Sequence, residues 1–157
     1  MIRKVKLNTL CMILTYGVIV LLIVGIISSW EERDKAILLL GLLVLLVGVS
    51  MYFYPRSVES TDSKLIIHRQ YSDKAFSYED IASVERCYPS AGGLRLCGSG
   101  GFFGYWGYFI DIMIGNYFGY YGDRDQCILI RLKNGRQYVI SCEDPEEMIV
   151  SISAHLE

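Results

Sequence analysis

Two long apolar runs without a single charge constrain this chain more than anything else in it. Leu7 to Ser29 reads LNTLCMILTYGVIVLLIVGIISS, and Ala36 to Tyr54 reads AILLLGLLVLLVGVSMYFY. At about 1.5 Å rise per residue, a helix over either run covers a hydrocarbon core of about 30 Å. Such runs also occur as fully buried helices of large soluble cores. The rest of this 157-residue chain is too small to wrap two of them, so the runs are read as a transmembrane hairpin.

The connection Trp30-Glu31-Glu32-Arg33-Asp34-Lys35 is so short that the helices must be antiparallel neighbours. Trp30, Tyr52 and Tyr54 fall where interfacial aromatics are expected, and Gly17, Gly25, Gly41 and Gly48 offer small-residue stripes for close helix approach. Arg3, Lys4 and Lys6 precede the first run and Arg56 and Lys64 follow the second, whereas the loop sets Arg33 and Lys35 amid three acids. Basic residues gather on the inner side, so both termini are expected in the cytoplasm, in a multi-pass cytoplasmic-membrane protein. A cleaved signal peptide is the competing account of residues 1–29. Its apolar stretch is longer than usual for one, and the second helix alone would still return the C-terminal part to the cytoplasm.

The mean hydropathy of +0.33 is high only because of these runs. Residues 57–157 hold nine basic and fourteen acidic side chains, 9 − 14 = −5, which speaks against nucleic acid as a partner. Cys11, Cys87, Cys97, Cys127 and Cys142 form no CxxC pair, and His68 and His155 have no ligand at metal-binding spacing. Neither a metal, a cofactor nor a disulfide framework is expected; the thiols read as free and mostly buried.

After Pro55 the pattern changes to short alternating segments separated by turn residues, the mark of antiparallel β-structure. Ser57–Ser60 and Leu65–Gln70 bracket a Thr61–Lys64 turn; Ala75–Tyr78 and Ile81–Cys87 follow. Cys127–Leu132 and Gln137–Ile140 flank Asn134-Gly135, which favours a type I′ hairpin turn. Asp144-Pro145-Glu146-Glu147 then gives an N-cap acid, a proline at the first helical position and a carboxylate three residues on, ahead of Met148, Ile149, Ile152 and Leu156 at helical spacing. The chain is expected to be α+β: a helical hairpin over residues 1–56, then over residues 57–157 an antiparallel roll of about seven strands closed by a C-terminal helix.

Residues 92–122, GGLRLCGSGGFFGYWGYFIDIMIGNYFGYYG, contain half of the 20 aromatic residues, and their glycines fit no phosphate-binding motif. Three readings compete. Phe102, Phe103, Tyr105, Trp106, Tyr108 and Phe109 are strand and packing residues of the roll, or lie against the bilayer interface or the anchor helices, or line a groove for a peptide or protein closed by a mobile glycine loop. Arg95 is the one charge at the threshold, free to meet an acidic partner or to pair with Asp111 or Asp123.

Arg95-Leu96-Cys97-Gly98-Ser99-Gly100-Gly101-Phe102-Phe103-Gly104-Tyr105-Trp106-Gly107, then Gly119-Tyr120-Tyr121, Asn134-Gly135 and Tyr138-Val139-Ile140-Ser141-Cys142-Glu143-Asp144-Pro145-Glu146 resemble the membrane-anchored bacterial PH domain family over most of residues 57–157. Cys142 departs from the pattern, where a proline is expected after the serine. The resemblance implies a PH-like roll behind two transmembrane helices, and no particular ligand.

The leading expectation is a membrane-tethered, non-catalytic module that binds a protein or peptide, or assembles with itself, through Arg95 and the six aromatics. The alternative is lipid or interface sensing through the same segment. An enzyme using Cys142 or Cys87 as nucleophile is the least favoured, because neither histidine is marked as its base.

Overall fold

The computed structural model describes residues 1–156. A short strand, β1 (Ile2–Lys4), precedes helix α1 (Thr9–Ser28), whose start is capped by the Asn8 side chain accepting from the Cys11 amide at 2.8 Å. Helix α2 (Arg33–Phe53) returns antiparallel, as the short connection requires. Only 17% of the most apolar window of α1 and 11% of that of α2 are buried. Ile13, Leu21, Ile27, Leu38 and Val44 all point outward, so these are not core helices of a soluble fold. The glycine stripes do not mediate the helix pair. A Cβ at Gly17, Gly41 or Gly48 would meet open space, and only Gly25 faces the other helix, at Leu39.

Beyond α2 the chain forms nine strands rather than about seven. β2 (Pro55–Ser60), β3 (Lys64–Arg69) and β4 (Lys74–Ser77) join β1 in a four-stranded antiparallel sheet of order β1-β2-β3-β4. β5 (Ile81–Cys87), β6 (Leu94–Gly101), β7 (Gly104–Asp111), β8 (Gly115–Tyr121), β9 (Cys127–Leu132) and β10 (Gln137–Ser141) form a six-stranded sheet of order β5-β9-β10-β8-β7-β6. All pairings are antiparallel except β8 with β10. The two extra strands come from the glycine-aromatic segment, which is a three-stranded meander and not a mobile loop.

The main core lies between the sheets. Val5, Val58, Leu65, Ile67 and Phe76 meet Tyr120, Ile128, Ile130 and Ile140, and α3 (Pro145–Ser153) plugs the end with Met148 and Ile152. A second cluster covers the opposite face of the larger sheet: Tyr105, Phe109, Tyr117, Tyr121, Cys127, Leu129 and Val139, closed by Leu7 and Cys11 from the start of the anchor.

Two local expectations fail. Asp144 sits in the left-handed region at φ 50° and makes no cap hydrogen bond; its carboxylate pairs instead with Arg3 at 3.1 Å. Asn134 does not adopt positive φ, so the β9–β10 turn is not type I′. Gly135 alone does, at 81°, and its amide donates to the Leu132 carbonyl, giving a type I turn followed by a left-handed glycine.

The N-terminal segment is bound to the domain along its length. β1 pairs with β2, the Val5 amide donates to Arg56 O at 2.9 Å, the Glu143 amide donates to Lys4 O at 2.9 Å, and the Asn8 amide donates to Gly122 O at 2.9 Å. Arg3 also pairs with Glu147, and Lys6 with Glu143 at 2.6 Å. The helical hairpin is thus inserted between two adjacent strands of one sheet. Val5→Ala should lower the stability of the folded domain by about 2 kcal/mol, although Val5 precedes both helices. Val24→Ala, on the outward face of α1, should change it by no more than about 0.5 kcal/mol, both read by thermal unfolding in detergent.

Candidate functional site

The meander positions the aromatics by register. Tyr105 pairs across strands with Tyr121, Gly107 with Gly119, and Phe109 with Tyr117; on the other side Gly98 pairs with Gly107. A row of three glycines therefore crosses β6, β7 and β8 between two aromatic stacks. Tyr105 lies on Tyr121 at 4.9 Å and 15°, and Phe109 on Tyr117 at 5.5 Å and 15°. Gly98 and Gly107 hold φ near 119°, and a Cβ on either would overlap the carbonyl of the strand beside it.

The seven residues marked from sequence do not form one surface. Arg95, Tyr105 and Phe109 share the face of the second cluster and line a cleft of about 370 Å³ with Ser90, Tyr117, Tyr121 and Arg124. Trp106 and Tyr108 face the other way: Trp106 stacks on Phe53 of α2 at 4.7 Å and 8°, and Tyr108 meets Phe118 edge-on while 58% exposed. Phe102 and Phe103 form the tip of the β6–β7 turn, in edge contact with each other at 5.1 Å; Phe103 also meets Tyr54 at 6.3 Å. That tip is docked on the anchor. The Phe103 amide donates to Thr15 Oγ at 2.9 Å, while the Thr15 hydroxyl donates to Cys11 O at 2.7 Å.

The cleft is rich in donors. The Arg124 guanidinium lies 4.5 Å from the Tyr105 ring centroid, and its buried Nε has no partner. Arg95 pairs with neither Asp111 nor Asp123, and among the described residues no carboxylate lies within ion-pair distance of either arginine. Asp111 is otherwise engaged: its Oδ2 accepts from the Ser90 amide at 2.7 Å and the Ser90 hydroxyl at 2.6 Å, and its Oδ1 accepts from the Met113 amide at 2.8 Å. Burial opposes its ionisation, but these hydrogen bonds outweigh burial and hold the carboxyl below its ordinary value. The Tyr117 and Tyr121 hydroxyls are 3.2 Å apart. Burial pushes Tyr117 up to about 12 and raises Tyr105 and Tyr121 too, so all three stay neutral and can donate.

No thiol chemistry is set up. Burial pushes Cys87 and Cys142 up to about 12, which disfavours the thiolate a nucleophile needs. Cys97 alone of the five cysteines is exposed. His68 does find two carboxylates, on the neighbouring strand and in the following turn: Nε2 meets Glu59 at 2.8 Å and Nδ1 meets Asp73 at 3.1 Å. This raises its pKa, chiefly through the Glu59 hydrogen bond. Among the described residues no group of three or more His, Cys, Asp or Glu is arranged to hold a metal ion.

A family model described as Bacterial PH domain matches residues 56–156. The chain belongs to the bacterial PH domain family. Two sheets closed by a C-terminal helix are what a PH-like roll requires, and PH domains are in general non-catalytic interaction modules. No curated protein and no solved structure gives a significant match to the chain.

Nothing in the sequence marks Arg124, flanked by Asp123 and Asp125, as a partner of Arg95. Thr15, by contrast, carries a visible signal as a polar residue inside an apolar helix. Gly98→Ala or Gly107→Ala in this PH-like domain should cost about 2 kcal/mol or more in thermal unfolding, whereas Gly92→Ala, which meets open space, should be silent. Thr15→Val should leave the Phe103 amide without a partner and speed its hydrogen exchange, with β7 unchanged.

Proposed function

We propose that the chain is a membrane-tethered, non-catalytic interaction module whose PH-like domain stands at the cytoplasmic face of the plasma membrane and binds a protein or peptide. The observation that carries this reading is the bracketing of two outward-facing apolar helices by β1 and β2. Strands paired in one sheet lie on one side of a bilayer, so a crossing hairpin between them must enter and leave by the same face. Cleavage after Ser29 would strip β1, Val5 and their hydrogen bonds from the domain, which favours a retained anchor over a signal peptide. Arg3, Lys4, Lys6 and Arg56 at that face support the cytoplasmic side. The net −5 of residues 57–157 gives headgroup electrostatics little purchase on the domain as a whole.

Contact with lipid through the glycine-aromatic turn is favoured by one observation. Phe102 and Phe103 lie beside Thr15, level with the outward apolar side chains Met12, Ile13 and Tyr16 of α1. The Phe102 carbonyl accepts from Ser99 Oγ at 2.7 Å, and the Phe103 amide uses Thr15. The turn meets these backbone needs with hydroxyls of the protein rather than water, as a turn near hydrocarbon must. On this reading the tip seats the domain at a fixed depth, and the partner surface lies further out.

Cys97 offers a direct test. A membrane-impermeant maleimide should label the full chain in inverted membrane vesicles and leave it unlabelled in intact cells, with Cys97→Ser removing the signal. Labelling in intact cells, or release of the unlabelled chain by alkaline carbonate, would overturn the tethered cytoplasmic placement.

A further inference from the structure

Reading the chain as an interaction module leaves open where a partner sits, and the larger sheet has one unguarded edge. β6 is its terminal strand, at the end opposite to β5, and among the described residues no strand pairs with its outer side, while α1 covers its Gly101 end and leaves the Leu94 end open. Natural edge strands are usually blunted by lysine, proline or short length. β6 has eight residues with no lysine and no proline, its one irregularity being a bulge at Leu96 between Arg95 and Cys97, and it exposes Leu94, Arg95, Leu96 and Cys97. Leu94 and Leu96 are 62% and 60% exposed, and Ile112 and Met113 beside them 98% and 86%.

The two faces along this edge differ in chemistry. On one, Arg95 is in register with Phe109 and runs along the glycine row towards Gly100, into the cleft that it shares with Arg124 and the tyrosine hydroxyls. Donors line this space, its one bordering carboxylate, Asp111, being engaged by Ser90 and Met113, in a part of the chain that carries −5. On the other, Leu94 and Cys97 are in register with Ile110 and Tyr108, which form an accessible apolar strip. A strand added to β6 would send alternate side chains to the two faces.

We propose that β6 is a docking edge for an extended peptide of alternating acidic and apolar residues. Its main chain pairs with the open stretch Leu94–Gly98, its carboxylates reach Arg95 and Arg124, and its apolar side chains cover Leu94, Tyr108 and Ile110. The proposal rests on the interaction-module reading and names the partner of that surface. A second copy of this chain is a poorer occupant. Symmetric edge-to-edge pairing is antiparallel, whereas two copies in one bilayer both turn the Gly101 end of β6, the end against Leu14 of α1, towards the membrane.

The test uses the full chain in nanodiscs of zwitterionic phosphatidylcholine. The probes are labelled synthetic peptides, long enough to span β6, of alternating Asp and Val or of alternating Lys and Val, read by fluorescence anisotropy. The acidic peptide should bind about tenfold or more tightly than the basic one, and Arg95→Glu should abolish or invert that preference. N-methylation of alternate peptide amides should remove binding, a control that leaves the protein untouched. Hydrogen exchange of the complex should show protection at residues 94–98. Failure of the acidic peptide to bind, equal binding of both peptides, or binding that survives N-methylation would overturn the proposal. So would displacement by millimolar inorganic phosphate at constant ionic strength, which would assign the cleft to phosphate groups such as lipid headgroups. Protection confined to other strands would end the β6 assignment while leaving the interaction-module reading intact.

Discussion

The pairing of β1 with β2 is the contact on which the rest of the architecture turns. These strands are neighbours in space, yet the whole helical hairpin separates them in the chain. Closing a flexible loop of about 50 residues costs roughly 3.5 kcal/mol of chain entropy. Two packed antiparallel helices remove most of that cost, because they return the chain to within a helix diameter of where it left. Insertion of the hairpin and assembly of the first sheet therefore reinforce each other. Arg3, which reaches Asp144 and Glu147, and Lys4, whose carbonyl accepts from Glu143, carry the same coupling on to the start of α3.

The hairpin and the domain are joined by short, hydrogen-bonded segments. Tyr54 alone separates α2 from β2, and the few residues between β1 and α1 are hydrogen-bonded to Arg56 and Gly122. The β6–β7 tip on Thr15 and the Trp106 stack on Phe53 add two side contacts between domain and anchor. These contacts hold the domain against the hairpin.

The parts legible in the sequence are those whose signal is local. Continuous apolar runs mark the helices, alternation marks β3, β5, β9 and β10, and Pro145 with Met148 and Ile152 marks α3 and its buried face. β1 was hidden because three residues beside an anchor read as a basic flank, and their pairing partner lies beyond two helices. The turn at Asn134-Gly135 was mistaken in type because one residue at positive φ suffices once the loop has three residues. Asp144 was mistaken as a cap because its side chain finds Arg3, a residue 141 positions earlier. The marked site residues share one segment but divide between two sheet faces and a turn, since neighbouring residues on a strand point apart. Arg124 entered the cleft only through the fold.

The glycine-aromatic segment shows why composition misled. Read along the chain, glycines and rings alternate too irregularly for a strand and too densely for an ordinary loop. Read across the meander, Gly98, Gly107 and Gly119 stand side by side, and each ring on one strand faces a ring on the next. A Cβ on Gly119 would collide with the rings of Tyr121 and Phe109, so the missing side chain is what lets both lie over the sheet. At Gly100 the missing side chain likewise makes room for the Arg95 guanidinium. Glycine weakens an isolated strand. Here it makes room for stacked rings and for an arginine lying flat, and it leaves β6 with little side-chain bulk to shield its free edge. One compositional choice thus underlies both the packing of the second cluster and the openness of the edge beside it.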